Sequence, residues 1–155
     1  MKEQKLHSTY KSILPEDTKK IGIYLGKTLN KGAILSFQGA LAAGKTTLIK
    51  GIAQSLGIED EITSPTFTII SSYNGKYILN HIDLYRIESS EELEYLGIDE
   101  IIYSNGISVI EWGEKLKIIA ENLIEIKIEI EKDFTRKITI SGLQKNLDIP
   151  GIKKL

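Results

Sequence analysis

A chain of 155 residues with a formal net charge of −1 has room for one hydrophobic core, and its scattered basic residues exclude the concentrated positive face of an autonomous nucleic-acid binder. Apolar residues make up 41% and charged residues 26%, the balance of an ordinary globular protein and not of a disordered one. Cysteine is absent, which excludes a disulfide framework, a thiolate nucleophile and a cysteine metal site.

No run reaches the roughly 18 apolar residues of a membrane span. The opening Met1-Lys-Glu-Gln-Lys-Leu lacks the apolar core of a secretory signal. The expectation is therefore a cytoplasmic protein without membrane contact, formed by one domain over residues 1–155.

Pro15, followed by Glu16 and Asp17, suits the first turn of a helix, with the acids at the positive end of its dipole. Ile21, Leu25 and Leu29 continue one face of that helix, and Gly32 is expected to stop it. Residues 33–37 form a short apolar run that reads as a buried strand and leads directly into Gly39. Beyond the glycines, Leu48, Ile49, Ile52, Ala53 and Leu56 have helical spacing, closed by Gly57.

Residues 67–73 and 77–82 read as strands, and Asn74-Gly75 between them predicts an antiparallel hairpin through a type I′ turn. Ser89 with Glu92 is a capping box for a short helix ending at Gly97. Residues 107–110 are a second buried strand, running into Glu111 and Trp112. Near the C-terminus Ile124, Ile126, Ile128 and Ile130 alternate with charged residues, and Ile138 and Ile140 keep the period of two, which predicts a terminal hairpin. Together these elements predict an α/β domain built on a mixed sheet flanked by helices.

Gly39-Ala40-Leu41-Ala42-Ala43-Gly44-Lys45-Thr46 matches the phosphate-binding pattern G-x4-G-K-[ST]. It follows a predicted strand and opens a predicted helix, as the motif requires. In such a loop the backbone N–H groups, together with those of Thr47 and its neighbours at the helix start, point at phosphate oxygens. Lys45 would bring positive charge to the β- and γ-phosphates, and the Thr46 hydroxyl is an oxygen ligand for Mg²⁺.

A P-loop also needs an acid at the end of a neighbouring strand. Glu111 ends one predicted strand and Asp83 another, and either can serve the metal or the attacking water. Thr66, in the polar turn Thr63-Ser-Pro-Thr66, lies where a mobile loop could sense the γ-phosphate. His81 stands alone and reads as structural. Trp112, the single tryptophan, follows Glu111 and is expected near the nucleotide.

The P-loop, Ser64-Pro-Thr-Phe, His81-Ile-Asp-Leu-Tyr-Arg86, Glu91-Glu-Leu-Glu-Tyr-Leu-Gly-Ile98 and Val109-Ile-Glu-Trp112 follow one another in close order. This series resembles the TsaE (YjeE) family, the ATPase of tRNA threonylcarbamoyladenosine (t6A) synthesis, from about Pro15 to Lys115. The resemblance implies a P-loop NTPase-type fold that binds and hydrolyses ATP with Mg²⁺, held by Thr46 and Glu111. Asp83 is implicated in hydrolysis and Thr66 in a switch-like loop. Asp17, with Glu16 beside it, is implied at the nucleotide, as is Arg136 near the terminal hairpin. The implied partners are a threonylcarbamoyl transferase subunit (TsaD-like) and its paralogous scaffold (TsaB-like), with tRNA reached through the complex. The chain departs from the family at Ala40, usually an acid, and at Ala42, often a glycine.

Two other readings share the P-loop. A small kinase would close an arginine-bearing lid over its acceptor, whereas this chain has only Arg86 and Arg136 and no lid insertion. A non-hydrolysing nucleotide-dependent switch would need the same loop and differ in turnover alone.

Overall fold

The computed structural model describes residues 6–65, 67–118 and 120–155. Among these, strands β1 (Leu6–Ser12), β2 (Ile34–Gln38), β3 (Ile70–Tyr73), β4 (Leu79–Asp83), β5 (Ile107–Glu111), β6 (Leu123–Ile130), β7 (Arg136–Leu143) and β8 (Lys153–Lys154) form one mixed sheet. Its order is β3-β4-β5-β2-β6-β7-β1-β8. The central strands β4, β5, β2 and β6 run parallel, and antiparallel strands flank them on both sides. Among the described residues four α-helices, α1 (Pro15–Gly26), α2 (Lys45–Ser55), α3 (Ser90–Tyr95) and α4 (Ile98–Ile102), and a 3-10 turn at Gly113–Lys115 complete the fold.

Strands β4 and β5 are buried at every position, as parallel strands covered on both faces must be. Alternation divides the core. Leu35, Phe37, Val109 and the inward isoleucines of β6 and β7 pack with α1 and α2, while Ile34, Ile82 and Ile110 pack with α3 and α4. The fold class is thus the expected α/β one, with the predicted P-loop strand and helix and the β6–β7 hairpin in place. No described helix is long and apolar enough to cross a membrane.

Several expectations change. The first helix ends at Gly26, not near Gly32, because Thr28 and Leu29 turn back onto the Leu25 and Gly26 carbonyls and the Thr28 hydroxyl also bonds Leu25, at 2.7 Å. The β3–β4 hairpin is antiparallel, yet its connection spans residues 74–78 and Gly75 does not take the positive φ of a type I′ turn. Gly75 is needed for closeness instead. A Cβ there would lie 2.6 Å from the Leu56 carbonyl, which accepts from the Lys76 N–H.

The strand expected from residue 67 begins only at Ile70. Ile69 has φ +68 and so breaks the extended run, and Phe67 stands 82% exposed beneath the Arg86 guanidinium. β1 was not foreseen. Its inward positions are Ser8, Tyr10 and Ser12, which carry no apolar alternation and are held by hydrogen bonds to Asn146, Leu147 and Thr18.

Candidate functional site

The parallel strands β2, β5 and β4 end side by side, which gathers three chain segments at one edge of the sheet. β2 releases the chain at Gly39. A Cβ on Gly39 would sit 2.7 Å from the Ile128 carbonyl of β6, so only glycine lets the loop leave so close to its neighbour. The loop then passes through Ala42 at φ +62 and Gly44 at φ +114 before α2 begins at Lys45. Ala42 occupies a left-handed conformation, the physical reason glycine suits this position.

β4 and β5 pair with Asp83 opposite Glu111, the last residue of each strand. Glu111 is 4% exposed and stands against the start of α2, where the Thr46 hydroxyl reaches its Oε1 at 3.3 Å. Its other oxygen, Oε2, lies 2.7 Å from His81 Nε2 and 3.3 Å from Ser64 Oγ. Asp83 accepts from Ser64 Oγ at 2.8 Å and from the Tyr85 N–H at 3.0 Å.

The Lys45 ammonium donates to the Gly39 carbonyl at 2.6 Å and lies 3.9 Å from the centre of the Trp112 ring. Burial pushes its pKa below the usual lysine range, against the pull of Glu111, Asp83 and Glu114. Trp112 has φ +60, a conformation that costs a bulky residue about 1–3 kcal/mol. Its ring is held by Lys45 and by Tyr85, 5.2 Å away between centroids.

A cleft of about 380 Å³ opens over these groups. Of the expected nucleotide residues, Leu41, Ala42, Ala43, Gly44, Lys45, Thr46, Thr47 and Trp112 line it, together with Asp83 and Glu111. Gly39, Ala40, Asp17 and Arg136 do not. Asp17 caps its own helix, its Oδ2 accepting from the Ile13 and Leu14 N–H groups. Arg136 braces the loop from outside, donating from Nε to the Ala43 carbonyl at 2.9 Å. Thr66 lies outside the described residues.

Ser64 and Tyr85 line the cleft without having been singled out in the sequence. Their signals were faint: a serine before proline in a polar turn, and an aromatic residue two places after a strand-end acid. His81, expected to be structural, is fully buried and also bound to Glu111.

A glycine loop between a central parallel strand and a helix, faced by carboxylates on the next two strand ends, defines a P-loop NTPase-type fold. A solved structure, Bacillus subtilis YdiB, superposes with a TM-score of 0.73 at 32% identity, covering 92% of this chain and 89% of that one. The family model for "Threonylcarbamoyl adenosine biosynthesis protein TsaE" matches residues 13–138. Among relatives, the tRNA threonylcarbamoyladenosine biosynthesis protein TsaE of Treponema pallidum is 42% identical over 127 residues, 81% of this chain and 94% of that protein. Its counterpart from Bacillus subtilis is 38% identical over 136 residues, covering 86% and 85%. The chain belongs to the TsaE family of threonylcarbamoyladenosine biosynthesis proteins.

Proposed function

We propose that this chain is the ATPase of the tRNA threonylcarbamoyladenosine machinery, binding ATP with Mg²⁺ in the 380 Å³ cleft and hydrolysing it to drive or reset the transferase. The observation that carries the reading is the approach of Thr46 Oγ1 to Glu111 Oε1, 3.3 Å apart, at the mouth of the P-loop. Two hard oxygen donors fit Mg²⁺, which takes one or two protein oxygens and leaves its other positions to phosphates and water. Among the described residues no cluster of three His, Cys, Asp or Glu could hold a metal. When bound, Mg²⁺ would supply charge neutralisation across the phosphate oxygens.

The chain's own groups supply the rest. Backbone N–H groups at the start of α2 bind phosphate, and Lys45 exchanges the Gly39 carbonyl for the β- and γ-phosphates. Asp83, one strand beyond Glu111, orients the attacking water and accepts its proton. The loop holding Ser64 and Thr66 closes over the γ-phosphate. Asp17 and Arg136 act on the nucleotide through the backbone they hold, Asp17 at the start of α1 and Arg136 at the Ala43 carbonyl of the loop.

Catalysis is completed in trans. Arg136 bonds the backbone carbonyls of Ala43 and Phe134, and Arg86 stacks on Phe67, so both arginines of the chain have partners other than phosphate. A cation supplied by a partner is worth roughly 10³–10⁵-fold in P-loop enzymes. The partners are a TsaD-like transferase subunit and its TsaB-like scaffold, which also hold the tRNA, and the complex works in the cytoplasm. Phosphate release by the whole chain, alone and then with both proteins and tRNA, tests the reading. We expect slow turnover that the partners accelerate. Fast turnover indifferent to them would refute it and favour a free-standing ATPase or kinase.

A further inference from the structure

His81 lies on β4 two residues before Asp83, on the same face, and is 0% exposed. Its register partner on β5 is Val109, so the ring reaches diagonally along the strand to meet Glu111, and Nε2 stops 2.7 Å from Oε2. The residue two places earlier on this face, Leu79, is equally buried and packs in the apolar core. Packing alone would be served by another such side chain. A ring nitrogen at hydrogen-bond distance from a strand-end carboxylate asks for a different account.

The contact with Glu111 fixes which ring nitrogen is engaged. A carboxylate offers only acceptors, so Nε2 must carry the proton and donate it. Nδ1 is buried and has no hydrogen-bond partner among the described residues, so Nε2 makes the ring's polar contact.

We propose that His81 is a positioning residue for Glu111. By engaging Oε2 it sets the carboxylate plane so that Oε1 faces Thr46, the arrangement that a cation carried in by the nucleotide needs. A free glutamate turns about three bonds, and each turn that moves Oε1 from Thr46 removes a ligand. Oriented carboxylates beside metals owe their geometry to such hydrogen bonds, whose loss costs roughly 10–100-fold in metal affinity. The inference rests on the nucleotide reading above and deepens it.

The test uses the whole chain, with ATP affinity measured by calorimetry in chelator and again with Mg²⁺. His81→Gln keeps an N–H donor near the place of Nε2, and His81→Leu fills the space without one. Wild type and both variants should bind ATP alike in chelator. Mg²⁺ should tighten wild type and the Gln variant, while the Leu variant should need roughly 10–100-fold more Mg²⁺ for the same gain. A Leu variant that keeps the full gain, or Gln and Leu variants that fall together in chelator, would overturn the proposal. If wild type itself gains nothing from Mg²⁺, the nucleotide reading fails first and takes this one with it. Should the variants not fold, nitrogen-detected NMR of the unsubstituted protein decides the point: a proton on Nε2 shared with Glu111 supports it, and a bare Nε2 overturns it.

Discussion

Thr46 and Glu111 stand 65 positions apart in the chain, yet their side-chain oxygens approach to 3.3 Å. The pair joins the start of α2 to the end of β5, and each member of it should fail in the same way. Thr46→Ala and Glu111→Ala should each abolish the Mg²⁺ dependence of ATP binding while leaving binding in chelator intact. The double variant should cost little beyond either single one, because the two act as a unit. Calorimetry on the three variants gives the answer, and full additivity would mean that they serve separate ligands.

Asp83, paired to Glu111 in register but bonded to Ser64 and Tyr85 instead of Thr46, should behave differently. Asp83→Ala is expected to bind Mg²⁺-ATP and not to release phosphate, even with its partners present. An Asp83 variant that loses Mg²⁺ binding while Glu111→Ala keeps it would move the metal to β4.

Lys45→Ala removes the ammonium that now rests on the Gly39 carbonyl and the Trp112 face. Hydrogen bonds from a charged donor are worth about 1.5–3 kcal/mol, so ATP affinity should drop roughly 10–100-fold. Unchanged affinity in a titration would mean that nucleotide does not meet this loop.

Trp112 should report on any ligand that draws Lys45 away. With Lys45 3.9 Å from the ring centre, drawing the ammonium toward phosphate must change the indole's surroundings. Its emission should shift on adding ATP with Mg²⁺ and stay nearly still in the Lys45→Ala protein. An emission spectrum of wild type that ignores nucleotide would put the lysine's destination elsewhere.

Ala42→Gly should stabilise the protein, against the usual direction of that exchange. At φ +62 alanine carries a left-handed penalty of about 1–2 kcal/mol, partly offset by the unfolded-chain entropy that alanine saves, so a net gain of up to about 1 kcal/mol is expected. Urea denaturation measures it, and a loss of stability would show the loop relaxes around alanine without strain.

The P-loop, the strands on either side of it and the isoleucine alternation of β6 and β7 were legible because each is a local pattern of spacing or chemistry. Glu111 and Asp83 could be put at strand ends for the same reason. What stayed hidden depends on register. That His81 would meet Glu111 follows only once β4 and β5 are aligned with His81 opposite Val109. β1 was invisible because its buried positions are hydroxyl-bearing Ser8, Tyr10 and Ser12, satisfied by partners up to 138 residues away. At Asn74-Gly75 a strong turn signal misled, since the glycine answers to the end of α2 and not to the hairpin.

The loop from Gly39 to Thr46 is contiguous, but two of its supports come late. The Ile128 carbonyl beneath Gly39 belongs to β6, and Arg136 on Ala43 opens β7, 93 residues downstream of its partner. A ribosome adding roughly 5–20 residues per second leaves a gap of about 5–19 s between the two ends of that contact. Throughout the interval the motif is complete as sequence and unsupported as structure. Released chains ending before Leu123 should accordingly fail to bind immobilised ATP, and chains extending past Leu143 should succeed. Nucleotide capture would then mark a molecule whose β6 and β7 are already in place.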